Sequence, residues 1–506
     1  MRTIFSKNTN FCACLSASLL LLSFFSFEKN NLYDQQPDLP IAQLDSLIAM
    51  AIKPVGDQGP GVAVYLHRRG SAPYQKVSGM ANLEYGIPLT EHSVFDLASV
   101  AKQFTGMAIA KLVQAEKISL EEDVRTYLPE VPDFGTTITL THLLQHTSGL
   151  RDVGELYGVG NFGREFTAEV ALRIVSRQQA LNFTPGTEHD YSNTGYVLLA
   201  IIVERVTGKS FVDWCQENIF APLNMTNSFA NDAPRRLIPN RATAYYGSNG
   251  DFSFNQNNGM SLIGSSAVFA SLNDMAKWMS TFSAKENQLF DLMTSPGQLQ
   301  DGSPVNYNFG LNVSDWEGHT LIEHSGSTPA GFRTFVAHLP EEGLSLVILS
   351  NWGDLEPIRD LGRPILSLIF GSPSVPEATD TPEKTVDVPL SVLEQYVGDY
   401  LFNQEREVKI SLQEKQLLVE IAGMGASTLV PRSATTFFLA PMNSTLVFEM
   451  DGPKVSRVAI QEGSDEVGEL RLEGESQVFV VPEGSTGDYY SEELGVPGKA
   501  SISEIL

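Results

Sequence analysis

Four short strand-like runs constrain the fold of this chain most. Two lie near its start, at residues 61–66 and 76–79, and two lie far downstream, at 335–339 and 344–349. Turn residues separate the members of each pair, so the first pair reads as two strands of a hairpin and the second as two more strands. A lone hairpin is marginal in water. The two pairs must therefore share one sheet, with everything between them as an insert. The insert has a helical pattern, clearest in the apolar run 196–203. Residues 41–48 have amphipathic-helix spacing, and 357–370 read as a closing helix. The expectation is an α+β unit, one sheet built from both ends of the segment with a helical insert between.

Three short motifs lie in this unit. In Phe95-Asp96-Leu97-Ala98-Ser99-Val100-Ala101-Lys102, a serine and a lysine stand three residues apart at the expected start of a helix. That spacing puts both side chains on one face. A helix start also favours developing negative charge, and an adjacent amine can take the hydroxyl proton and make a nucleophile. Taken alone, this spelling fits an ordinary exposed helix lysine better. Tyr191-Ser192-Asn193 lies on the loop leading into the 196–203 helix. A phenol, with a pKa near 10, becomes a better base beside a lysine ammonium. Asn193 offers both a donor and an acceptor. Taken alone, it reads as a turn with a capping asparagine. Glu323-His324-Ser325-Gly326-Ser327 follows the strand-like run 320–322. A strand carrying His324, with Gly326 close behind, would let a substrate backbone pair along its edge. Taken alone, His324 reads as a structural histidine.

In this order the three motifs resemble the S-x-x-K, Y-x-N and K/H-x-G set of the β-lactamase and penicillin-recognising serine hydrolase family. The likeness is greatest to its class C β-lactamase, D-aminopeptidase and esterase branch. Residues 141–150, 264–278 and 347–351 resemble further segments of that family, and the likeness covers residues 41–372. It implies the β-lactamase/transpeptidase-like fold, an antiparallel sheet flanked by helices with a mainly α subdomain, and a site in the cleft. By the same resemblance Ser99 attacks a carbonyl and forms an acyl-enzyme, while Lys102 and Tyr191 share the proton work. Which of the two is the base stays open, because strongly coupled groups titrate as a unit. The backbone N–H groups of Ser99 and Ser327 would form the oxyanion hole, with Asn193, His324 and Gly326 supporting the substrate.

The chain departs from the β-lactamase pattern at His324, where those enzymes carry lysine. An imidazole with a pKa near 6.5 is mostly neutral at pH 7 and gives up most of the attraction for a substrate carboxylate. An esterase or peptidase acting on a small-molecule or peptide substrate is therefore expected ahead of an efficient β-lactamase. The alternatives are a D-Ala-D-Ala carboxypeptidase, D-aminopeptidase or weak β-lactamase, and a catalytically silent binding protein of the same fold. Arg333 reads as an exposed loop arginine that could restore a positive charge only by facing the cleft.

The net charge of −26 argues against nucleic acid and anionic membrane surfaces as partners. The glycine pattern at 158–163 lacks a leading strand, Thr207-Gly208-Lys209-Ser210 reads as a helix-ending turn, and no cysteine has zinc-ligand spacing, so no metal or organic cofactor is implied. Residues 1–27, with Arg2 and Lys7 ahead of an apolar stretch, read as a signal peptide or an uncleaved anchor. That predicts export to the periplasm or beyond, with membrane association only through this segment. Cys215 would be the only cysteine left after cleavage and should pack as a small apolar residue. A proline-rich, acidic linker is expected over 373–388. After it, short strands at 407–412, 416–421, 444–449 and 477–481 suggest a small all-β antiparallel barrel over 389–483. Residues 393–400 resemble the opening of the lipocalin-like domain often appended to these hydrolases. A flexible tail is expected over 484–506.

Overall fold

A computed structural model describes residues 39–154, 156, 166–233, 236–254, 262–282, 288–355, 358–370, 388–402, 406–413, 415–421, 425–439, 444–451, 454–462, 465–472, 487–491 and 496–500. The expected segment 1–27, the glycine pattern 158–163, almost all of the linker and the strand 477–481 lie outside them.

The distant pairs of strands do share a sheet. Its seven antiparallel strands run in the order Tyr307–Asn308, Leu311–Trp316, His319–Ser327, Arg333–Leu339, Leu344–Ser350, Val62–Arg68 and Tyr74–Ser78. The first strand in sequence sits between the last and the second, with Val62 opposite both Ser350 and Ser78. Arg333–Leu339 and Leu344–Ser350 are buried at every position, so helices must cover both faces. On one face Val64, Phe335 and Ile348 pack with Leu44 and Ile48 of the helix Ile41–Ala51 and with Ile365 and Leu366 of the helix Arg359–Phe370. On the other, Ala63, Val336 and Val347 join the large core that holds Phe104, Tyr196 and Trp278. That second core ties the sheet to the helical insert.

The insert's central helix, Asn193–Thr207, is apolar enough to be buried along most of its length. Ser192 caps its start by accepting from the Thr194 N–H, and Gly208 ends it in the left-handed region at φ 69°, as a helix-ending turn requires. Cys215 is free and buried.

Eight antiparallel strands, from Gly398–Phe402 to Asp465–Leu472, form a closed barrel in simple up-and-down order. The first and last strands close it through Tyr400 opposite Leu472. Tyr396, Phe437 and Phe448 fill its core. The expected flexible tail is corrected in part. Gly487–Ser491 pairs antiparallel with Val496–Ala500, Tyr489 standing opposite Gly498. Among the described residues, no helix is long and apolar enough to cross a membrane.

Candidate active site

The strand Val94–Asp96 pairs with Val268–Ser271 and then turns sharply. Ala98 takes φ 50°, an unfavourable conformation for a residue with a Cβ, and the Asp96 carboxylate steadies it by accepting from the Ala98 N–H at 2.9 Å. A short 3₁₀ turn, Ala98–Ala101, follows and runs into the helix Lys102–Gln114. This geometry lifts Ser99 to the cleft and turns Lys102 inward beneath it.

The end of the strand His319–Ser327 packs against that turn. A Cβ on Gly326 would lie 2.4 Å from Thr334 Oγ1, 2.6 Å from the Leu97 carbonyl oxygen and 2.9 Å from Ala98 Cβ, so only glycine permits this approach. Gly326→Ala should push the strand off the Ser99 turn and lower kcat by about 100-fold, the usual cost of a misplacement near 1 Å. Steady-state kinetics on an ester substrate, with circular dichroism to confirm the fold, checks this.

Lys102 is fully buried. Its Nζ lies 3.1 Å from Ser99 Oγ, 2.9 Å from Asn193 Oδ1 and 3.0 Å from the Ser265 carbonyl oxygen. Burial pulls its pKa down to about 7, with the Asp152 carboxylate pulling the other way. Asn193 is fixed in turn, because its backbone N–H donates to Asp152 Oδ2 at 2.5 Å and Ser192 Oγ donates to the same oxygen at 3.2 Å. A neutral amine has two hydrogens and one lone pair. Asn193 Oδ1 and the Ser265 carbonyl can only accept, so they take the two hydrogens and the lone pair is left facing Ser99 Oγ.

Tyr191 joins this group through its ring. Its centroid lies 4.8 Å from Lys102 Nζ, and the ring packs on His146 at 4.2 Å while staying 41% exposed. His324 is buried and turned to protein partners, with Nε2 2.7 Å from the Tyr307 hydroxyl and Nδ1 2.6 Å from the Ser325 carbonyl oxygen. Its ring lies 6.3 Å from that of Tyr191. Ser99, Asn193 and Ser327 open onto one cavity of about 500 Å³, whose wall includes Phe254, Phe269 and Phe332 and three charged residues, Glu84, Asp96 and Arg241.

Arg333 departs from the sequence reading. The strand Arg333–Leu339 starts with it, it is buried, and its Nη1 donates to the Thr328 and Phe332 carbonyls at 3.1 and 3.0 Å. Its partners belong to the turn that precedes it, which is why it does not stand out in solvent. Asp152, Ser265 and Tyr307 were missed as site residues. Asp152 follows the segment 141–150 closely and Ser265 lies within 264–278, so proximity to those segments was the available signal. Tyr307 carried none.

A family model described as Beta-lactamase matches residues 48–367. The chain belongs to that family. Within it, Penicillin-binding protein 4* of Bacillus subtilis (strain 168) is 29% identical over 425 residues, 78% of this chain and 92% of that protein. A D-aminopeptidase of Gluconobacter oxydans (strain 621H) is 30% identical over 339 residues, 65% of this chain, which spans only 62% of that relative's length. Among solved structures, the octameric penicillin-binding protein homologue from Pyrococcus abyssi superposes with a TM-score of 0.59 at 21% identity, covering 85% of this chain and 100% of that one. D-amino acid amidase from Ochrobactrum anthropi SV3 gives 0.54 at 23% identity, covering 66% and 100%. Membership makes the chain a serine hydrolase of β-lactamase type, with the family's mixed helix and antiparallel-sheet fold.

Proposed function

We propose that the protein hydrolyses ester or amide bonds through an acyl-Ser99 intermediate, and that uncharged or aminoacyl substrates are favoured over β-lactams. The observation that carries this reading is the lone pair of Lys102, directed at Ser99 Oγ by two obligate acceptors. Lys102 takes the hydroxyl proton as Ser99 attacks. The N–H groups of Ser99 and Ser327 then receive the oxyanion, a contribution of about 3 kcal/mol per donor. Tyr191, over the amine, passes the proton to the leaving group. Water then releases the acyl group by the reverse sequence.

Against carboxylate-bearing substrates stand the engaged ring nitrogens of His324, the commitment of Arg333 to carbonyl groups, and a cavity wall with two carboxylates to one guanidinium. Burial pushes Asp96 up to about 6, so it is still mainly ionised at neutral pH. A D-aminopeptidase activity is the second reading, favoured by the relative of that name. We place the protein outside the cytoplasm, with residues 1–27 as signal or anchor, and assign the barrel a packing role akin to appended lipocalin-like domains.

A panel of a p-nitrophenyl butyrate ester, D-alanine p-nitroanilide, a D-Ala-D-Ala peptide and nitrocefin tests this. Turnover of the ester or the anilide with nitrocefin far behind is expected. Nitrocefin turnover matching the ester would overturn the ranking, and D-alanine release from the peptide would replace it with carboxypeptidase activity.

A further inference from the structure

His324 occupies the position where a lysine would greet a substrate carboxylate, yet its ring is held from both sides. The Ser325 carbonyl can only accept, so the proton facing it at 2.6 Å belongs to Nδ1. In the neutral ring Nε2 is then the acceptor, with the Tyr307 hydroxyl 2.7 Å away as its donor. Tyr307 is itself buried and sits at the sheet's edge strand, Tyr307–Asn308. Burial, and the neighbouring phenols of Tyr196 and Tyr191, hold its ionisation well above the ordinary phenol range, so it keeps its proton. Among the described residues, the rings of Tyr191 and Tyr307 lie 6.3 and 5.5 Å from that of His324, and burial, Lys102, His189 and His324 disfavour a proton on His146. Glu323 points to the opposite face and pairs with Arg363 at 2.8 Å.

We propose that Tyr307 is a positioning residue whose hydroxyl holds His324 as the neutral Nδ1–H tautomer, and that this hold steers the cleft away from substrates with a carboxylate near the scissile bond. The kinetic part rests on the acyl-Ser99 reading, whereas the tautomer does not. A charged imidazolium would need a hydrogen on Nε2, where the phenol already points its own. The hydroxyl would have to swing away for the ring to become a cation.

Two measurements test this. Nitrogen-15 NMR of the histidine rings in the intact chain, assigned against His324→Gln, should show Nδ1 protonated and Nε2 bare from pH 6 to 8. Nε2 protonated in that range overturns the proposal without a variant. The second compares p-nitrophenyl butyrate with mono-p-nitrophenyl glutarate, which adds a carboxylate, in the wild type and in Tyr307→Phe. Only the ratio of the two kcat/KM values is read, which cancels the shared titration of Lys102. The wild-type ratio should stay flat with pH. In Tyr307→Phe it should rise in favour of the charged ester by severalfold as pH falls from 7.5 to 5.5, because the phenol hydrogen no longer occupies Nε2. A ratio unchanged by Tyr307→Phe overturns the steering role. Failure of both esters with the wild type would instead defeat the hydrolase reading and leave the tautomer to decide the proposal.

Discussion

Ser99→Ala is expected to lower kcat/KM for ester hydrolysis by on the order of 10⁴- to 10⁶-fold, as loss of the nucleophile does in other serine hydrolases. The substitution removes one oxygen. The 3₁₀ turn keeps its shape, because Asp96 and the Leu97 carbonyl hold it rather than the Ser99 side chain. Both proposed oxyanion donors are backbone groups that the substitution leaves in place, so a small residual rate from binding and polarisation should remain. The neutral Lys102 keeps its two acceptors. An unchanged thermal transition beside lost activity is the expected pattern.

Lys102→Met should cost on the order of 10²- to 10⁴-fold in kcat/KM, the usual contribution of a positioned base. Methionine fills similar space but leaves Asn193 Oδ1 and the Ser265 carbonyl without their donor, so a moderate fall in stability should accompany the loss. The pH profile separates the two effects. Lys102 acts only when deprotonated, and burial brings its pKa to about 7. Wild-type kcat/KM should therefore be low at acid pH, rise through about 7 and level off above it. The residual rate of Lys102→Met should lack that rise. A wild-type profile flat from pH 6 to 8, or a variant with the same limb, would move the base role to Tyr191.

Much of this architecture was legible because its signals are local. The runs at 61–66, 335–339 and 344–349 are strand-like, and the structure covers both faces of the sheet they form. The spacing of Ser99 and Lys102 survives as contact because one turn of helix is one step along a face. Tyr191 and Asn193 enter the same site because they flank a cap. Other parts were hidden for physical reasons. In the barrel, Lys454–Glu462 and Asp465–Leu472 are rich in charge, and register shifts at Glu449/Met450 and Ile460/Gln461 interrupt the ladders on either side of Lys454–Glu462. Tyr307–Asn308 is too short to show a period. Asp152 and Tyr307 meet the motif residues only through tertiary packing, which no spacing along the chain encodes. Arg333 read as part of a loop because Pro329-Ala330-Gly331 precedes it, yet the strand starts at that residue.

The central claim is a covalent acyl or phosphonyl bond to Ser99 Oγ. Intact-mass spectrometry of the full chain after exposure to a fluorophosphonate, followed by peptide mapping, tests it most directly. The account predicts a single adduct on the peptide carrying Ser99, absent from Ser99→Ala. An unmodified wild type that still turns over esters, or an adduct on a different residue, would contradict it.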